Sequence, residues 1–166
     1  MGVPVDAATF RAAMARFPGA VTIVTSAGAG ARRGITATAV CSVSADPPSL
    51  LVCLNRATGT CAMVADTGMF NVSLLAGDGG ETAMRFAGAG GVTGDDKFAL
   101  GDWRIDARGL PILAGAVANF CCEVAEQVQA GSHTVFIGHI VGITLTDATP
   151  LVYERQRFHR LAPIQG

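Results

Sequence analysis

The sequence has few charged side chains, a single lysine and no long hydrophobic run. Charged residues occupy 15% of the 166 positions, and 12 basic against 13 acidic side chains leave a net charge of −1. No basic patch supports nucleic-acid binding, and no apolar stretch approaches the ~20 residues that span a bilayer. The first residues lack a signal-peptide pattern, so we expect none. Half of the residues are hydrophobic, which excludes a disordered chain and indicates that extra surface is buried against a partner.

Cysteine usage argues against both disulfides and metal binding. Five cysteines are present, and none of them form a Cys-x-x-Cys motif. The ligand spacings of zinc sites are also absent. His133 and His139 share a face of one predicted strand, but no third ligand accompanies them. Free thiols in a reducing compartment are the expected state, so the sequence predicts a cytoplasmic protein without a metal site.

Short strand patterns separated by turns run through most of the chain. Helical patterns are few and short, at 6–17, 58–66 and 82–87. Strand patterns occupy 20–25, 35–44, 49–55, 70–75, 116–127, 133–144, 151–153 and 157–161. No linker or repeat divides the sequence, so residues 1–166 are predicted to form one domain. This succession predicts a mainly β, α+β fold, an antiparallel barrel with short helices outside it.

One predicted strand, 35–44, carries small hydroxyl side chains on one face and apolar side chains on the other. The hydroxyl residues are Thr36, Thr38, Ser42 and Ser44. Threonine and serine are ordinary on a solvent-exposed strand face, and the pattern alone favours that interpretation. The alternative is a binding shelf, because small residues let a flat ligand approach the backbone while hydroxyls and amides bond its polar edge.

The loop after the next strand combines an amide, a cation and two hydroxyls. Its residues are Asn55, Arg56, Thr58 and Thr60. A helix N-terminus flanked by hydroxyls and a cation can bind an anion. Simple N-capping of the predicted helix by Thr58 explains the pattern equally well.

Residues 10–55, which include GITATAVCSVSADPP, resemble the N-terminal half of the short-chain flavin reductases, the reductase components of two-component monooxygenases. The similarity continues at 70–72, 85–87, 131–133 and 153–159. Members that it resembles include the reductase component of 4-hydroxyphenylacetate 3-monooxygenase and the flavin reductase of pyrimidine degradation. The resemblance implies the FMN-binding split barrel and a homodimer with flavin near the subunit interface.

The resemblance also implies site residues. Those expected beside the flavin ring are Thr36, Ala37, Thr38 and Ala39. Those expected at the ribityl phosphate are Asn55, Arg56, Thr58 and Thr60, with Arg85 as a second cation. His133 is expected near the nicotinamide, in a Gly-Ser-His sequence where the family commonly has Asp or Thr in place of the serine. Without the resemblance, His133 would be interpreted as a surface turn residue.

The implied activity is that of an NAD(P)H-dependent flavin reductase. Hydride passes from NADH or NADPH to FMN or FAD, and the reduced flavin diffuses to a separate monooxygenase. The cofactors carry this chemistry, so no catalytic side chain is expected. Two alternatives stay open because fold does not determine function. One is a flavin-binding carrier or sensor without turnover, and the other is an oxidoreductase with fixed flavin and its own substrate.

Overall fold

The structure, a computed structural model, describes residues 4–164. Its helices are α1 (Ala7–Met14), α2 (Gly59–Thr67) and α3 (Gly80–Phe86), with 3₁₀ turns at Ala89–Gly91 and Gly94–Ala99. Its strands are β1 (Gly19–Ala20), β2 (Thr22–Gly28), β3 (Ala31–Ala37), β4 (Val40–Ala45), β5 (Pro48–Asn55), β6 (Met69–Leu74), β7 (Trp103–Ile105), β8 (Pro111–Leu113), β9 (Ala118–Ala130), β10 (His133–Leu145), β11 (Leu151–Glu154) and β12 (Arg157–Arg160).

Seven of these strands form one antiparallel sheet. The strand order is β3-β2-β6-β9-β10-β5-β4. The two outermost strands, β3 and β4, are consecutive in the chain and are joined by Thr38 and Ala39. The carbonyl of Ala39 accepts a hydrogen bond from the Cys53 amide at 3.0 Å. One bent segment therefore borders β2 at its start and β5 at its end, which closes the barrel. The predicted mainly β fold with short outer helices is confirmed.

Two apolar clusters stabilise this arrangement. The first fills the barrel and includes Val52, Phe70 and Phe136, none of which has exposed surface. Gly138 lies in β10 beside this cluster, and a Cβ there would come within 2.7 Å of the Phe70 ring. Glycine is thus required by close packing. The second cluster holds α3 against the outside of the sheet and is built around Phe86.

The prediction of a continuous strand over 35–44 is wrong. Ile35 and Ala37 pack against the barrel interior, but the next inward residue is Val40. The two residues between β3 and β4 shift the alternation by one position. The predicted hydroxyl face is therefore divided, and Ser42 and Ser44 lie exposed in β4. The glycines at positions 28, 30 and 34 predict a hairpin loop over 28–34, which is too long because β3 begins at residue 31.

The N-terminal helix α1 begins where the sequence predicts and ends earlier. The carboxylate of Asp6 accepts hydrogen bonds from the amides of Ala8 and Thr9, which is an N-cap. No residue of α1 is buried, and Phe10, Met14 and the following Phe17 are 58%, 46% and 70% exposed. The apolar side of this segment thus has no cover within the described chain. Within residues 4–164, no helix has the length and hydropathy needed to cross a membrane.

Candidate functional site

Two cavities lie beside β3, which is an edge of the seven-stranded sheet. The apolar cavity has a volume of about 240 Å³ and is lined by Val21, Thr36, Thr38, Ala83, Met84, Ala87, Tyr153 and Phe158. The basic cavity has a volume of about 260 Å³ and is lined by Arg33, Gly34, Ile35, Thr58, Gly59, Thr60, Thr93, Gly94 and Lys97. Consecutive residues of one strand thus line an apolar space and a cationic one.

The apolar cavity has walls suited to a flat ring. The Thr36 hydroxyl donates a hydrogen bond to the Ala83 carbonyl at 2.6 Å, so it ties β3 to α3. Thr38 is exposed at the mouth. On the far side, the Tyr153 and Phe158 rings pack with their centroids 5.4 Å apart. Aromatic and small side chains around a few polar groups are the usual lining of a cofactor site.

The basic cavity lies at the N-terminus of α2. The Thr58 hydroxyl accepts a hydrogen bond from the Cys61 amide and donates one to the Asn55 carbonyl, so Thr58 is the N-cap of the helix. Arg33 reaches the cavity from β3, and Lys97 reaches it from the second 3₁₀ turn. The helix dipole and both cations favour an anion here. Burial lowers the pKa of the Lys97 ammonium from its ordinary value.

Lys97 is held in place by bonds on both sides. Its ammonium donates to the carbonyls of Phe86 (2.8 Å) and Gly34 (3.3 Å). The Arg85 guanidinium donates to the carbonyl of Asp96 at 2.6 and 3.1 Å and to that of Lys97 at 3.2 Å. Arg85 therefore fixes the backbone that carries Lys97 and does not line either cavity.

A second cation anchors the same 3₁₀ turn. Arg32 forms an ion pair with Asp95, and its guanidinium stacks 4.3 Å from the centre of the Phe98 ring. The hydrogen bond from Arg32 is the main reason why the pKa of Asp95 is lowered. The turn is thus attached to β3 from outside the cavity, while Lys97 points toward it.

Arg56 and His133 lie together at the β9–β10 hairpin, outside both cavities. The Arg56 guanidinium donates to the Gln129 side chain at 3.0 Å, and its amide donates to the Ser132 carbonyl. His133 pairs with Asn55 across β5 and β10, and its Nδ1 lies 2.9 Å from the Ser132 hydroxyl. Of the predicted phosphate residues, the structure brings only Thr58 and Thr60 into the basic cavity.

The two remaining predicted ring residues differ in orientation. Ala37 packs against the barrel interior, and Ala39 is exposed where the chain joins β5. Arg33 and Lys97 were missing from the residues predicted by the sequence. The sequence around Arg33 indicates a hairpin loop, and the run Asp95-Asp96-Lys97 indicates a solvated loop. The available signal was that Lys97 is the only lysine in the chain.

No cysteine lines the apolar cavity or the basic cavity. All five are free, and Cys121 and Cys122 are buried. Burial raises the pKa of each of these two thiols to about 12, and for Cys121 a 2.9 Å hydrogen bond to Asp106 adds to the effect. Both therefore stay protonated and unreactive near neutral pH. Within the described residues, no three His, Cys, Asp or Glu side chains are arranged to hold a metal ion.

Known proteins resemble this chain in both sequence and structure. Residues 14–162 match the family model described as flavin reductase like domain. FMN reductase (NADH) RutF 1 of Methylorubrum extorquens is 42% identical over 99% of this chain and 82% of its own length. The 4-hydroxyphenylacetate 3-monooxygenase reductase component of Pseudomonas aeruginosa is 42% identical over 92% of this chain and 90% of its own.

Solved structures agree with this assignment. Flavin reductase PheA2 in its native state has a TM-score of 0.87 and 32% identity, over 96% of this chain and 100% of that one. NADH:FAD oxidoreductase SgcE6 of Streptomyces globisporus, in complex with NAD and FAD fragments, has a TM-score of 0.88 and 30% identity over 98% of both chains. The predicted split-barrel fold is thereby confirmed. Because the family model spans most of the chain and relatives share 42% of its residues, this protein belongs to the flavin reductase family.

Proposed function

We propose that this chain is an NADH-dependent flavin reductase that supplies reduced FMN or FAD to a separate monooxygenase. The observation that carries the proposal is that residues at β3 line both an apolar cavity and a cationic cavity at a helix N-terminus, which we together call the groove along β3. A flavin mononucleotide has the same division into a flat ring and a phosphate. The 42% identical relatives are named as an NADH-dependent FMN reductase and as a monooxygenase reductase component, which supports both the donor and the partner.

The residues that would hold the flavin follow from the lining of the groove. Thr36 and Thr38 lie where the ring would pack, with Ala37 and Ala39 supplying the backbone between and beyond them. The phosphate would bind at the α2 N-terminus with Thr58, Thr60, Arg33 and Lys97. When bound, the flavin supplies an electron acceptor for hydride from the nicotinamide. The protein orients the ring, offsets the phosphate charge and excludes water with Tyr153 and Phe158.

The other predicted residues lie near this groove without lining either of its cavities. Asn55 shapes the loop, because its carbonyl and side chain accept bonds from Thr58 and Ala57. Arg85 contributes indirectly, because its bonds to the Asp96 and Lys97 carbonyls fix the backbone that carries Lys97. Arg56 and His133 lie at the hairpin that borders this loop. We assign them to the incoming nicotinamide nucleotide, with His133 as a positioning residue rather than an acid or base.

The proposal includes a symmetric homodimer. On the outer face of β5, β9 and β10, the paired residues Val128 and Val135 and the paired residues Leu51 and Ile137 share one side. Val128 is 54% exposed. This apolar face and the uncovered side of α1 give each copy the surface that a C2 interface buries. The five free thiols support a cytoplasmic location, and residues 1–166 act as one domain.

The test is steady-state oxidation of NADH and NADPH with FMN, FAD and riboflavin as acceptors. The expected result is NADH oxidation that depends on added free flavin. A yellow protein that retains its flavin and does not oxidise NADH would instead identify a carrier or sensor. Turnover only with an organic acceptor would identify an oxidoreductase with fixed flavin.

A further inference from the structure

Lys97 is the only lysine of this protein, and its amine lies in the basic cavity. The proposed function gives this amine the role of a cation for the flavin phosphate. A lysine amine is also a nucleophile once it has lost its proton. In the free protein, a nucleophile and a set of groups that attract anions thus share one space of about 260 Å³.

The hydrogen bonds of Lys97 leave one position on its nitrogen open. An ammonium has three N–H donors. Two of them donate to the carbonyls of Phe86 (2.8 Å) and Gly34 (3.3 Å), and within residues 4–164 no third acceptor bonds this nitrogen. The neutral amine keeps both of these donors and carries its lone pair in the third position. That lone pair is therefore available to a molecule in the basic cavity.

The surroundings of Lys97 also favour the neutral amine. The side chain is half-buried, and burial lowers the pKa of the ammonium from its ordinary value. Desolvation of this kind is a usual way in which proteins activate a lysine as a nucleophile. None of the ion pairs within residues 4–164 involves Lys97. No carboxylate in this part of the chain therefore pairs with the ammonium and holds its proton.

Other residues of the same cavity attract a phosphate. Arg33 supplies a guanidinium, and only its Nη1 is bonded within the described residues, to the carbonyl of Arg32 at 2.9 Å. Thr58 and Thr60 line the cavity at the N-terminus of α2. A phosphate held by these groups brings whatever is attached to it close to Lys97. An acyl phosphate has an electrophilic carbon one oxygen atom away from its phosphorus, so it presents that carbon to the amine.

We propose that small acyl phosphates, such as acetyl phosphate, acylate Lys97 directly and that the resulting amide switches off binding of the flavin phosphate. The neutral amine attacks the acyl carbon, a C–N bond forms, and the bond from that carbon to the phosphate oxygen breaks. The phosphate leaves with the electron pair of this bond and takes up the proton that the nitrogen releases. The products are an N-acyl-lysine without charge and hydrogen phosphate. The switch rests on the proposed function, whereas the acylation does not.

The test uses the variant Arg104→Lys, which adds a second lysine as a reference. Arg104 lies exposed in β7 and does not line the basic cavity. The folded variant is incubated with acetyl phosphate at mildly alkaline pH, and peptide mass spectrometry measures the acetylation rate at both lysines. We expect Lys97 to react about tenfold faster than the lysine at position 104, because the phosphate is held beside it. Inorganic phosphate and FMN should each slow the reaction of Lys97 and leave position 104 unchanged.

An aryl acetate separates the effect of the bound phosphate from the reactivity of the amine itself. This ester transfers the same acetyl group and has no phosphate, so the preference for Lys97 should disappear. Arg33→Gln should slow the acetylation of Lys97 by acetyl phosphate and not by the aryl acetate. Calorimetric titration of the acetylated parent protein should show the dissociation constant of FMN raised by about tenfold or more, and that of riboflavin changed far less.

The contrary outcomes separate the parts of the inference. A rate at Lys97 equal to or below that at position 104, or the same preference with the aryl acetate, overturns directed acylation, while FMN-dependent NADH oxidation by the unmodified protein still supports the proposed function. An acetylated protein that binds FMN as tightly as its parent overturns the switch. An unmodified parent that binds neither FMN nor riboflavin refutes the proposed function and the switch together, and the two acetylation rates alone then decide whether Lys97 is acylated.

Discussion

Replacing Lys97 by methionine tests the phosphate site most directly. Methionine keeps most of the side-chain length and removes the ammonium that reaches the basic cavity. A hydrogen bond to a charged group contributes about 1.5–3 kcal/mol, so the dissociation constant of FMN should rise about 10- to 150-fold. Riboflavin has the same ring and lacks the phosphate, so its affinity should change far less. Calorimetric titration of both ligands measures the difference, and equal losses for FMN and riboflavin would refute the phosphate assignment of Lys97.

The comparison with riboflavin also removes the structural part of the effect. The ammonium bonds the carbonyls of Gly34 and Phe86, so its loss perturbs the site for both ligands equally. Arg104→Ala serves as a control for loss of a cation, because Arg104 pairs with Asp102 on the surface.

The pH dependence of FMN binding follows from the lowered pKa of Lys97. Without ligand, the folded chain releases this proton more readily than the unfolded chain. The free energy of unfolding therefore rises as the pH increases past the folded pKa of Lys97, because burial no longer opposes a charged side chain, and it falls again as the pH is lowered. Because the ammonium binds phosphate only when charged, FMN affinity relative to riboflavin should fall at alkaline pH, below the ordinary lysine value of 10.5.

Four further predictions concern the remaining parts of the site. Arg85→Ala should weaken FMN more than riboflavin by releasing Lys97, and combined with Lys97→Met it should add little, a non-additivity that a double-mutant cycle measures. Thr38→Leu should weaken FMN and riboflavin alike with unchanged circular dichroism, and an unaltered titration would exclude Thr38 from the ring site. His133→Ala should raise the Michaelis constant for NADH and leave flavin affinity unchanged, as stopped-flow reduction would show. Light scattering should give the mass of two chains at micromolar concentration, and a single-chain mass would rule out the dimer.

Local features of the fold were predictable because they depend on neighbouring residues. Asp6 and Thr58 cap helices where the sequence indicates, since an N-cap needs only its own side chain and the next three amides. The pair of long strands β9 and β10 follows from alternation and a glycine turn. The early end of α1 was not predicted, because its apolar residues continue to Phe17, while within residues 4–164 no contact covers these side chains and they stay exposed.

Site residues that depend on distant segments were predicted less well. Arg33 and Lys97 meet in one cavity only because the 3₁₀ turn is attached to β3 by the Arg32–Asp95 ion pair and to α3 by Arg85. No pattern within either segment reveals that contact. The family resemblance indicates Arg56 as a phosphate cation, and in the structure its guanidinium bonds Gln129 on the neighbouring hairpin.

The bend at Thr38 and Ala39 links closure of the barrel to the position of the groove. A strand that continued straight through residue 44 would keep Ser42 and Ser44 in line with Thr36, but it would stay beside β2 and leave the sheet open. The chain instead leaves β2 so that Ala39 can pair with Cys53 in β5. The free edge of β3 is then available to α3 and to the two cavities. The hydroxyl pattern is thus divided at the bend, and Thr36 and Thr38 line the apolar cavity because the chain changes partner directly after them.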